Sequence, residues 1–97
     1  MSSFSENLRR RRAGKKSVVT KRINQISEMI DIGENYNLIF LHCEHLKNAF
    51  KDVENANEEY LNTLDENDVN NSYEWLAEVQ NAVDSCICSV ELLKSYN

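Results

Sequence analysis

Proline is absent from the 97 residues, and glycine occurs only twice, as Gly14 and Gly33. Sandwiches, barrels and α/β folds close many tight turns with these residues, so their scarcity argues against all three. No apolar run approaches the roughly 20 residues of a membrane span. The N-terminus carries Arg and Lys without the apolar stretch of a signal peptide. Cysteines number three (Cys43, Cys86, Cys88), an odd count unlike a secreted disulfide framework. Also missing are a glycine-rich phosphate loop, a nucleophile elbow, and a serine or cysteine with an identifiable base. The many acids follow no pattern that points to an apolar pocket able to perturb their pKa values. Catalysis has no foothold, and neither a cofactor nor a metal is implied. What remains is a single small all-α domain with room for one core, expected to be intracellular, in the cytoplasm or the nucleus.

The net charge of −5 hides a division. Residues 1–22 hold eight basic side chains (Arg9, Arg10, Arg11, Arg12, Lys15, Lys16, Lys21, Arg22) against one acid, Glu6. Residues 23–97 hold Lys47, Lys51 and Lys94 against fifteen acids. A basic arm on an acidic body suggests a contact with nucleic acid, a membrane surface or an acidic protein, confined to the arm.

Periodicity gives three helices. Val19, Ile23, Ile26 and Ile30 recur at helical spacing, which predicts a first helix over about 17–32 that Gly33 closes. Ser3 and Glu6 have capping-box spacing, which allows a short turn of helix around Phe4 and Leu8. The second helix is expected over about 36–64, with Asn35 or Asn37 as its cap. Its stripe reads Ile39, Cys43, Leu46, Phe50, Val53, Asn57, Tyr60 and Leu64, a coiled-coil seam. Residues 65–68, acidic at both ends, form the turn. The third helix, about 69–93, carries two stripes: Tyr73, Leu76, Val83, Ile87 and Val90, and beside it Trp75, Val79, Ala82, Cys86 and Leu93. So wide an apolar face can touch two neighbours. The expected architecture is a long antiparallel hairpin with a shorter N-terminal helix packed on it, a three-helix domain over 17–97, preceded by a flexible, disordered basic arm over 1–16.

The arm is the strongest functional signal. Guanidinium groups pair bidentately with phosphate, and a dense basic row binds polyanions through counterion release. With six to eight phosphate contacts, log affinity for a single strand should fall against log salt with a slope of roughly −4 to −6. No aromatic is interleaved, so base stacking and sequence readout are not expected. A nuclear-import signal and a solvated tail are the competing readings. If Lys15 to Arg22 open the first helix they oppose its macrodipole, which favours a contact over mere folding.

Other candidates are weaker. His42 and His45 could share a helix face, but zinc needs three or four ligands and Cys43 belongs to the core stripe. The expectation is two exposed histidines around a buried cysteine. Cys86 and Cys88, two apart on a helix, point about 200° from each other and cannot clasp one ion. Asn57 in the seam could pin register or lie at a wet edge. Tyr73 and Trp75 read as core anchors.

The basic stretch Arg10 to Lys16 with its glycine break, then Thr20, Arg22 and Ile23, resembles the N-terminal helical domain of Gag-like polyproteins of BEL/Pao-type retrotransposons. So do the acidic helix with Leu46, Phe50 and Tyr60 and the turn Leu64, Asp65, Glu66 leading to Tyr73 and Trp75. The resemblance covers about residues 9–95. It implies a non-enzymatic assembly module that self-associates or docks a partner helix, and whose arm gathers RNA. It carries over no catalytic or metal residue. In such polyproteins the domain lies upstream of capsid-like, zinc-knuckle, protease and reverse-transcriptase regions. An excised domain and a stand-alone host copy both fit. The alternative function is a host adaptor whose hairpin binds a protein partner and whose arm directs nuclear import.

Overall fold

The computed structural model describes residues 3–96, all but two turns of which are helical: α1 Ser3–Asp31, α2 Tyr36–Leu61 and α3 Glu66–Tyr96. The three helices pack up, down and up into a rod with extents of 53 × 20 × 16 Å. The all-α three-helix architecture is as the periodicity predicts. Among the described residues no helix is long and apolar enough to cross a membrane.

Two expectations about the N-terminus need correction. Residues 3–16 are not a separate arm but the first half of α1, and at 29 residues α1 is not a short helix. Arg, Lys and Ala are strong helix formers, and there is no proline to stop them. Glu6, in the first turn, complements the dipole. Lys15 to Arg22 therefore lie mid-helix. Dipole effects die away within a terminal turn, so the expected dipole penalty on these residues does not arise.

The turns are built as their residues allow. Gly33, at φ +72°, closes α1 in a Schellman arrangement: Gly33 N–H donates to Ile30 C=O at 3.1 Å and Glu34 N–H to Met29 C=O at 2.9 Å. Asn35 caps α2, its Oδ1 accepting from Asn37 N–H at 2.8 Å. Thr63 ends α2 earlier than expected, donating its hydroxyl to Tyr60 C=O at 2.7 Å. Its Oγ1 also lies 3.1 Å from Ser5 Oγ, fastening the start of α1 to the α2–α3 turn. Asp65 Oδ1 then accepts from Asp68 N–H at 3.2 Å at the start of α3.

Val19 and Ile26 of α1, Ile39, Leu46 and Val53 of α2, and Val90 of α3 are at most 2% exposed. Each such side chain contributes about 1.5–3 kcal/mol of burial. On α3 the seam alternates between the two expected stripes: Ser72, Leu76, Val79, Val83, Cys86 and Val90, spaced 4, 3, 4, 3, 4. Tyr73, expected in the core, is 57% exposed, because Ser72 takes the inward position and the next residue turns about 100° away. Ala82 is exposed for the same reason.

Candidate functional site

The eight basic side chains of α1 do not form one surface. Residues two apart on a helix face nearly opposite ways. Arg12 therefore turns inward, while Arg10 turns out to solvent. Lys21, near the same outward direction as Arg10, is also exposed. Neither Arg10 nor Lys21 has an ion-pair partner among the described residues. Arg9 and Arg11 are exposed but engaged: Arg9 Nη2 lies 2.7 Å from Glu6 Oε1, and Arg11 Nη1 lies 3.0 Å from Glu59 Oε2 on α2. Lys15, Lys16 and Arg22 are half-buried along the flanks. Lys15 and Arg11 border a shallow groove with Asp52, Glu58 and Glu59, so part of the basic row lies against acids of its own chain.

Arg12 departs furthest from the expectation of a phosphate-binding residue. Its guanidinium carbon lies 4.0 Å from the centroid of the Trp75 ring and 4.5 Å from that of Tyr60. Both are cation–π distances. Its Nη1 donates to Asn57 Oδ1 at 2.8 Å and to Ser72 Oγ at 2.9 Å, and Ser72 in turn donates to Asn57 Oδ1 at 2.7 Å. Asn57 and Ser72 are 1% and 4% exposed. One residue from each helix thus closes a buried polar triangle. Burial pushes the Arg12 pKa below the ordinary arginine value, and the Tyr60 and Arg9 charges are smaller influences. Lys16 adds its ammonium 5.7 Å from the Trp75 centroid.

Asn57 is therefore not a wet-edge residue; it holds α1 to α2 and α3 within the chain. Sequence reasoning placed Asn57 in the seam but missed Ser72, because a serine is invisible to a hydrophobic pattern. It also could not single out Arg12 within a run of four arginines. The available signal was register: Arg12 precedes Val19, Ile23 and Ile26 by 7, 11 and 14 residues, which is the inward direction.

The other candidates resolve simply. Cys43 and Cys86 are buried and Cys88 is exposed, all three as free thiols. Burial raises the pKa of Cys43 and of Cys86. His45 is exposed, but His42 is half-buried, and its Nδ1 is sealed from solvent with no hydrogen-bond partner among the described residues. The two rings meet edge-on at 5.7 Å. No group of three or more His, Cys, Asp or Glu side chains able to hold a metal occurs among the described residues. Trp75 is an anchor for Arg12 rather than part of a purely apolar core. At the opposite end of the rod, Ile32, Leu38, Phe40, Leu41 and Leu92 are 41–70% exposed.

No family model matches the chain, and no curated protein or solved structure matches it either.

Proposed function

We propose that the protein is a non-enzymatic assembly module that holds a polyanion, RNA foremost, on the outward face of α1 and meets partners through its helical body. The observation that carries this reading is the pair Arg10 and Lys21. They lie on one exposed direction of a continuous helix, about 16 Å apart along its axis, with no acidic partner among the described residues. Arg9 and Arg11 flank them and can exchange exposed, weak ion pairs for phosphates. Such a module is what the Gag-like resemblance implies.

The geometry trims the earlier estimate of binding. Two to four phosphate contacts, rather than six to eight, give a log–log salt slope of roughly −1.4 to −2.8 on single-stranded RNA. Fluorescence anisotropy with a generic labelled single strand across a salt series tests this. R10A/K21A should remove most of the binding and flatten the slope; unchanged binding would overturn the role of the outward face.

A second reading rests on a separate observation, the exposed apolar side chains Ile32, Leu38, Phe40, Leu41 and Leu92. It makes the rod an adaptor that docks a protein partner at that end, with the basic residues serving nuclear import. Light-scattering mass across the same salt series separates the two. Salt-sensitive growth with RNA favours assembly, and a mass indifferent to RNA favours the adaptor.

A further inference from the structure

Arg12 is a half-buried cation without a counter-anion among the described residues. Its acceptors are a neutral amide and a neutral hydroxyl, and its faces are covered by two rings. No carboxylate among the described residues lies within ion-pair distance of it. Buried charges in proteins are normally paired, because desolvation is costly.

The guanidinium is also only half used. All its hydrogen bonds come from Nη1, so the opposite edge, formed by Nε and Nη2, has no acceptor among the described residues. Neither of those nitrogens is sealed from solvent. Arg12 lines an open cleft of about 410 Å³ between α1 and α3, with Trp75 and Tyr60 beside it and Arg9, Asn71 and Asp68 also bordering the space.

We propose that this cleft receives a carboxylate group, held bidentately on the Nε–Nη2 edge of Arg12. The fork spacing of that edge matches the two oxygens of a carboxylate. The plane of the guanidinium is fixed in advance by Asn57, Ser72 and the two rings, so little freedom is lost on binding. Charge selects the ligand further. Arg9 is paired with Glu6 at 2.7 Å, so Arg12 is the one lining cation without an ion-pair partner among the described residues, which suits a monoanion better than a phosphate dianion. The carboxylate can belong to a small organic acid or to an acidic side chain or free C-terminus of a peptide. The site does not depend on the RNA reading, because Arg12 faces the opposite side of α1 from Arg10.

The test is an NMR titration of the intact chain, following the Arg12 Nε–H signal. The probes are sodium acetate, acetamide, inorganic phosphate and sodium chloride at matched ionic strength. A short peptide with a free C-terminal carboxylate is compared with its amide to separate the two sources. Saturable shifts with acetate, and none with acetamide or chloride, are expected. Two exposed positions tune the charge of the lining without touching the core. Asn71→Asp should weaken acetate binding, and Asp68→Asn strengthen it, each by about three- to tenfold. An Arg12 signal that does not move with acetate, one that moves equally with chloride, or affinities unchanged in both variants would overturn the site. Tighter binding of phosphate than of acetate would overturn the choice of ligand.

Discussion

Arg12 of α1 and Asn57 of α2 meet at 2.8 Å, 45 residues apart in sequence, at the point where all three helices share one polar contact. The asparagine lies in an otherwise apolar seam, and the arginine in a run that reads as surface. Together with Ser72 they decide how the first half of α1 docks, since a triangle with one member on each helix is complete in one register only.

That pairing should be measurable as coupling. Asn57→Leu keeps the volume but leaves Nη1 of Arg12 with Ser72 alone, and should cost about 1.5–3 kcal/mol in urea unfolding. Arg12→Met alone loses the ring contacts as well as the hydrogen bonds. The double variant should cost less than the sum of the two by about 1–2 kcal/mol, because no guanidinium then remains in want of an acceptor. Strict additivity would mean that the contact does not hold the helices together.

The two glycines should respond in opposite directions. Gly14 lies in mid-helix with nothing within 4 Å of where a Cβ would stand. Gly14→Ala should therefore stabilise by about 1 kcal/mol through helix propensity. Gly33 has equally open space, but its φ of +72° is left-handed. Gly33→Ala should destabilise by about 1–2 kcal/mol. Thermal melts of the two variants, compared with the parent, check both signs.

The difference between these glycines was partly legible in the sequence. Gly33 follows the last residue of a clear apolar stripe, and its role as a stop could be read directly. Gly14 interrupts a charged run with no periodicity, so nothing local showed that the helix continues through it. The same gap hid the first half of α1. Its contacts with the rest of the bundle include polar ones far apart in sequence: Ser5 with Thr63, Arg11 with Glu59, and Arg12 with partners 45 and 60 residues away, and no window of sequence contains them. The helices with apolar seams were legible because burial there is local and periodic. The candidate site was not, because it is polar and assembled from three helices.

The thiols give a prediction with a definite pH window. Burial, the largest cause in each case, raises the pKa of Cys43 and Cys86 in the folded chain. The unfolded chain ionises its thiols first, near pH 8.5. The stability tied to the neutral buried thiols is therefore fully present below that pH and is lost as pH rises toward the folded values. The urea midpoint should fall between pH 8 and 9.5, a range still below the titration of lysine. In the Cys43→Ala/Cys86→Ala variant the fall should be smaller, whatever the cost of the two cavities at neutral pH. The same burial orders the reactivity of the thiols. At pH 8 a disulfide reagent should modify exposed Cys88 rapidly, and Cys43 and Cys86 only at the rate at which the bundle opens. Three equally fast thiols would place Cys43 and Cys86 outside the core, and the pH dependence would then have another source.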